Sequence, residues 1–236
     1  MPDPSPRPPL PRGTNRPRRP DVDPAAMLTG LDPRRAGADP QVLGEGWDHI
    51  VYAAGPGLLL RVSKEPDPAV RRDELRRDVR LLEFAQRNSQ LPTNEVVGVD
   101  EDAGALLLTL VPGRPADEQP PADPQGFADT MAAFLTRLHS VPAVEAALVV
   151  TDPPTDDDSV ATWRALAERF APSDRDLVEE FLARPAPAEP RRMVFCHNDL
   201  GAEHILMSRD GETVTGVIDW SDAVLGDPAR DLALVW

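Results

Sequence analysis

At 236 residues with 41% apolar content, the chain is long enough for one large domain or for two small lobes around a cleft. Its formal charge of −15 and pI near 4.6 exclude the basic face of a nucleic-acid binder and suit a cationic ligand. Cys196 is the only cysteine, which excludes an intrachain disulfide, and no apolar run approaches the roughly 20 residues of a membrane span. With no apolar signal core at the N-terminus, these features predict a soluble, cytoplasmic protein.

Residues 1 to about 24 are rich in Pro and carry Arg7, Arg12, Arg16, Arg18 and Arg19, the composition of a disordered tail that cannot bury enough apolar surface to order itself. From Gln41 the pattern becomes strand, Gly44-Glu45-Gly46, the strand Ile50–Tyr52, a Gly55-Pro56-Gly57 turn and the apolar run Leu58–Val62, as in an antiparallel meander. Residues 69–87 place Leu75, Val79, Leu82 and Ala85 at helical spacing. Val96–Val99 and Ala105–Val111 predict two further strands around an Asp102-Ala103-Gly104 turn, and Pro112-Gly113 ends the second.

Beyond that break, Phe127, Met131, Phe134, Leu135 and Leu138 form one apolar stripe on a helix that stops near His139. Two shorter helices are predicted at 159–171 and 174–184, the second opened by a Ser173-x-x-Asp176 capping pattern. Met193–Cys196 reads as a short strand, and Ile205–Ser208 with Val214–Ile218 flank Arg209-Asp210-Gly211 as a hairpin. The expected fold is α+β: a tail over 1–24, a strand-rich N-terminal lobe with one helix over 25–111, and a mainly helical C-terminal lobe over 112–236.

The densest polar cluster runs from Cys196 to Leu206 and contains His197, Asn198, Asp199, Glu203 and His204; Val217-Ile218-Asp219-Trp220 follows the hairpin. Phosphoryl transfer needs an acid to orient and deprotonate the acceptor hydroxyl, and a divalent cation to neutralise the phosphates. Asp199 suits the first role. His204 and Asp219, brought together by the hairpin, suit the second.

His197-Asn198-Asp199 with His204 five residues beyond the acid resembles the catalytic loop of aminoglycoside and macrolide phosphotransferases, a family with a bilobal protein-kinase-like fold and a five-stranded antiparallel sheet in its N-lobe. Val217-Ile218-Asp219-Trp220 resembles that family's metal-binding motif, and Gly226-Asp227-Pro228-Ala229-Arg230-Asp231-Leu232-Ala233 the motif that commonly follows it. The resemblance implies Mg²⁺ at His204 and Asp219, although imidazole is less apt than an oxygen ligand for that ion. It implies that Gly44 and Gly46 cover the phosphates of ATP or GTP, where glycine lets the backbone approach closely.

The family's phosphate-binding Lys falls on Arg61, a departure, because a planar fork is not a point charge. Lys64 is the nearby alternative. Asp78 is matched to the acid that pairs with this cation, with Glu74 one turn earlier as its alternative. Leu108-Thr109-Leu110-Val111-Pro112-Gly113 resembles the hinge between lobes, which implies base contacts by the backbones of Thr109 and Val111, with Ile218 closing the pocket from below.

His139 reads as a helix C-cap, His197 as a residue orienting the loop, Cys196 as a buried small hydrophobe, and Asp227 and Asp231 as scaffold acids. Asp152, Asp156, Asp157 and Asp158 read as a solvated acidic run, with a cationic acceptor as the alternative partner. The implied reaction is O-phosphorylation of a small hydroxylated acceptor, an aminoglycoside first. A metabolic kinase acting on an amino alcohol, sugar or macrolide, and a non-catalytic nucleotide binder, are the alternatives. Leu232, Leu234, Val235 and Trp236 read as the opening of a helix cut short, since members of the family continue there.

Overall fold

The computed structural model describes residues 16–150, 164, 166, 170–185 and 190–233. The acidic run at 152–158, most of the helix predicted at 159–171 and the terminal Leu234–Trp236 lie outside the described residues, as do residues 1–15 of the expected tail.

The last part of that tail is ordered against the N-lobe, which corrects the predicted boundary. Arg19 is buried and its guanidinium donates to the carbonyl of Ala103 at 2.6 Å. A helix not expected from the sequence, α1 (Pro24–Leu31), follows, so the N-lobe carries two helices rather than one. Asp23 caps α1 by accepting from the N–H groups of Ala25 and Ala26, and Pro24 sits at the first turn, where its missing N–H costs nothing. The same Asp-Pro start opens α2 (Pro68–Asn88) and α3 (Pro124–Leu138), capped by Asp67 and Asp123.

The meander forms as β1 (Gln41–Glu45), β2 (His49–Ala53) and β3 (Leu58–Ser63), and β4 (Val96–Asp100) pairs with β5 (Ala105–Thr109). Together they make a five-stranded antiparallel sheet in the order β1-β2-β3-β5-β4. β5 is apolar at every position from Ala105 to Leu108 because both of its faces are covered. Ala105 and Leu107 pack with Leu28 of α1, whereas Leu106 and Leu108 join the core that contains α2.

In the C-lobe, α4 (Ala143–Ala146) and α5 (Pro172–Leu182) follow α3. The predicted capping pattern at Ser173 is not used: Ala171 is the N-cap with no side-chain bond, because Pro172 presets the first turn and draws Ser173 inside the helix. β7 (Val194–Cys196) pairs with a strand not foreseen, β10 (Val224–Gly226). The predicted hairpin is β8 (Ile205–Met207) with β9 (Val214–Val217), and the two-residue β6 (Arg114–Pro115) adds to its edge.

The lobes share one core. Phe84 of α2 meets Phe195 edge-on at 5.0 Å, Phe195 stacks on Trp220 at 6.0 Å, and Trp220 meets Phe134 of α3 at 6.3 Å. At the junction, the N–H of Val217 donates to the carbonyl of Pro92 at 2.9 Å. A Cβ on Gly216 would stand 2.5 Å from both the Pro92 carbonyl oxygen and Val111 Cγ1, so this close approach requires glycine. No helix among the described residues is long and apolar enough to cross a membrane.

Candidate active site

β7 delivers the chain to the polar loop with His197 fully buried. His197 Nε2–H donates to the carbonyl of Ile218 at 2.9 Å, and its Nδ1 accepts from the Asp199 N–H at 3.3 Å. Burial pushes this imidazole down to about pH 4, so it serves as a fixed neutral brace between the Asp199 and Asp219 segments. Its expected orienting role is the one this geometry supports.

Asn198 sits at φ 67° and Asp219 at φ 63°, the left-handed region where non-glycine residues need outside support. For Asn198 that support is Asp231, wholly buried, whose Oδ1 accepts from the Asn198 N–H at 2.8 Å and whose Oδ2 meets His139 Nε2 at 2.8 Å. His139 is therefore both the C-cap residue of α3 and the partner of Asp231. Among the described residues, His139, Cys196 and Asp231 form the one cluster of three such donor side chains close enough together to hold a metal ion. Burial pushes the Cys196 thiol up to about 12, and both Asp231 oxygens already accept hydrogen bonds, so this cluster anchors the loop instead.

The hairpin brings His204 and Asp219 together, through an Ile218 N–H bond to the His204 carbonyl at 3.0 Å. His204 Nδ1 donates to the Asp199 carbonyl at 2.7 Å, which in the neutral ring leaves Nε2 as a lone pair facing Asp219 Oδ2 at 3.6 Å. Two electron-pair donors facing one another fit a cation between them. Asp199 Oδ2 lies 3.5 Å from the same imidazole. The Asp199 carboxyl is pushed up by burial, against the pull of His204 and with the push of Asp222 and Asp219.

On the opposite wall, Arg61 Nη2 donates to Asp78 Oδ2 at 2.6 Å while Nη1 reaches Ser221 Oγ at 3.2 Å. Burial pushes the Asp78 carboxyl up, and Arg61 and Arg77 pull against that. Glu74, the other expected partner of this cation, faces Arg16 at 3.8 Å instead. Lys64 does not reach in: it is 1% exposed and binds Glu45 at 2.6 Å and the Gly46 carbonyl at 2.8 Å.

These groups surround a cleft of about 1020 Å³ between the lobes, with Gly44 and Gly46 on its rim and Leu59, Leu108, Val111, Leu206 and Ile218 at its apolar end. A Cβ on Gly44 would meet nothing within 4 Å, so the space there is open. Thr109 does not line the cleft, and its backbone is already engaged. Its N–H donates to the Glu95 carbonyl at 2.9 Å and its carbonyl accepts from Asn94 Nδ2 at 2.8 Å. Of the two residues expected to contact the base, Val111 lines the cleft, as does its neighbour Leu110.

Sequence reasoning missed His49, Ser221 and Asp222, which also line it. His49 Nε2 is 3.8 Å from Asp78 Oδ2, and burial followed by the Arg61 charge lowers its imidazole to about 3. Asp222 is pushed up by burial and then by Asp219. Their place beside two motifs was the only available signal. With Asp48, Glu74, Asp199, Glu203 and Asp219, Asp222 makes the cleft strongly acidic.

The sequence profile of the phosphotransferase enzyme family matches residues 39–236. The aminoglycoside 3'-phosphotransferase of Streptomyces fradiae is 34% identical over 171 residues, covering 65% of this chain and 60% of that protein. The chain thus spans less than two thirds of that relative's length. In structure, the GDP complex of wild-type aminoglycoside 2'-phosphotransferase-IIIa superposes with a TM-score of 0.71 at 20% identity, covering 89% of this chain and 75% of that one. The macrolide 2'-phosphotransferase MphH of Brachybacterium faecium superposes with a TM-score of 0.63 at 24% identity, covering 88% and 73%. The bilobal fold is that of these antibiotic kinases, and the chain belongs to the phosphotransferase enzyme family.

Proposed function

We propose that this protein transfers the γ-phosphate of ATP or GTP to a hydroxyl of a small cationic molecule, in the manner of an aminoglycoside kinase. The observation that carries this reading is the convergence of Asp199, His204 and Asp219 within 3.6 Å contacts at the polar end of a cleft whose far end is apolar. The base fits between Leu59, Leu108, Leu206 and Ile218, against the Val111 backbone. Its phosphates run under Gly44 and Gly46 toward Arg61, which Asp78 holds in place. Asp219 and His204 would hold Mg²⁺, which would supply neutralisation of the phosphate charge when bound.

Asp199 accepts the proton of the acceptor hydroxyl as that oxygen bonds to the γ-phosphorus and the bond to the β-phosphate oxygen breaks. Its raised pKa strengthens it as a base relative to an ordinary carboxylate. The acidic rim of Asp199, Glu203 and Asp222 favours a polyamine acceptor over a neutral macrolide or sugar. Nucleotide supply and the unpaired Cys196 suit a cytoplasmic setting.

Mass spectrometry of aminoglycosides, macrolides and amino alcohols incubated with the protein, Mg²⁺ and either nucleotide tests the reading. One phosphate added to an aminoglycoside is the expected result. Transfer only to a macrolide or an amino alcohol would overturn the choice of acceptor, and nucleotide binding without any transfer would favour the non-catalytic alternative.

A further inference from the structure

The turn over the phosphates has few ties of its own, chiefly the bond from the Gly46 N–H to the His49 carbonyl at 3.0 Å. Every residue of β1 is exposed, with Leu43 at 58%, and Trp47 in the turn is 49% exposed. Apolar burial therefore contributes little to fixing residues 45–48, and polar ties must do so. Those ties come from the basic segment that precedes α1 and from Lys64, whose N–H also donates to the Asp48 carbonyl at 2.7 Å.

Arg18 Nε donates to Glu45 at 3.0 Å. The Arg16 N–H reaches the Trp47 carbonyl at 3.3 Å, and its guanidinium lies 3.3 Å from Asp48, 2.9 Å from Glu65 and 3.8 Å from Glu74. Buried Lys64 completes the set through Glu45 and the Gly46 carbonyl. Arg19, anchored on the Ala103 carbonyl, fixes the segment to the body of the lobe. Each residue from Glu45 to Asp48 is thus held by this segment or by Lys64.

We propose that Arg16–Arg19 is a clasp that fixes the phosphate-facing turn, and that Arg16 is a positioning residue for the nucleotide phosphates. The second half rests on the nucleotide reading above. Asp48 and Glu74 both line the cleft, and Arg16 stands between them. Without it, two uncompensated carboxylates face an incoming triphosphate, and the turn above it loses a support. Neither effect touches the apolar end that takes the base.

The test compares the full chain with an Arg16→Ala/Arg18→Ala variant. Arg76→Ala, which breaks an exposed pair with Glu101 on the outer face of α2, is the charge control. In nucleotide-free protein, amide exchange over residues 44–49 should rise about tenfold in the double variant and stay unchanged in the control. ATP should bind about five- to tenfold more weakly and adenosine equally well, in line with a small network of exposed ion pairs. Arg16→Lys/Arg18→Lys should recover most of the ATP affinity.

Unchanged exchange in the double variant overturns the clasp, and equal losses for ATP and adenosine overturn the positioning role. If the unaltered chain binds no ATP, the nucleotide reading fails and the positioning role with it. The exchange measurement then still decides the clasp.

Discussion

Asp231 is the residue on which the polar loop depends most, and its removal gives the sharpest stability prediction. Its side chain is 0% exposed and accepts two bonds of 2.8 Å, from His139 Nε2 and from the Asn198 N–H. Hydrogen bonds to a charged, buried acceptor are worth about 1.5–3 kcal/mol each, and removing one partner strands the others without solvent. Asp231→Ala should therefore cost about 3–5 kcal/mol, a large share of the 5–15 kcal/mol typical of a whole domain. Asp231→Asn retains one acceptor oxygen and should cost roughly half as much. Urea unfolding of both variants and of His139→Ala, closed into a double-mutant cycle, should give a coupling of at least about 1 kcal/mol between the two side chains. A cost below about 1 kcal/mol for Asp231→Ala, or strict additivity, would refute the reasoning.

Two further outcomes follow from the buried ionisable groups. His197 is lowered in the folded protein from its ordinary value of 6.5 to about 4, so between those values the unfolded chain binds the extra proton. Stability from this group is thus fully present above pH 6.5 and lost as pH falls toward 4, by on the order of 3 kcal/mol. Thermal unfolding across pH should show this acid limb, and His197→Gln should flatten it; an unchanged limb would exclude His197 as its source. Arg61→Ala strands the buried Asp78 carboxylate and should destabilise by about 3–5 kcal/mol at neutral pH. Burial already pushes the Asp78 carboxyl up, and loss of the cation pushes it further. Protonation then relieves the strain, so the deficit should shrink as pH falls, and chemical denaturation at two pH values would expose a deficit that does not.

Much of the fold was legible because its signals are local. The Gly-rich turns and the apolar runs near Ile50, Leu60 and Leu107 fixed the meander, and the spacing of Leu75, Leu82 and Ala85 fixed α2. Helix starts were legible too but went unread: Asp23-Pro24, Asp67-Pro68 and Asp123-Pro124 each supply a capping carboxylate and a residue that needs no donor. The Ser173 pattern misled because an adjacent proline outranked it.

The candidate site divides in the same way. Asp199, His204 and Asp219 sit within two short motifs, whereas the choice between Asp78 and Glu74 needed the geometry of α2 against β3. Backbone contacts leave no side-chain signature, so the sequence gives no sign that the Thr109 backbone is engaged by Asn94 and Glu95. The place of Arg16 is not legible in the sequence, because its partners Asp48, Glu65 and Glu74 lie more than thirty residues away. Composition describes only the segment itself and carries no information about such partners.

The most direct test of the central claim is a single-turnover measurement of phosphate transfer to an aminoglycoside, with nucleotide affinity measured in parallel on Asp199→Asn and Asp219→Asn. The account predicts that Asp199→Asn binds Mg²⁺–ATP normally and loses about 10²–10⁴-fold in rate, whereas Asp219→Asn loses both binding and rate. Transfer that survives Asp199→Asn at the unaltered rate would contradict it.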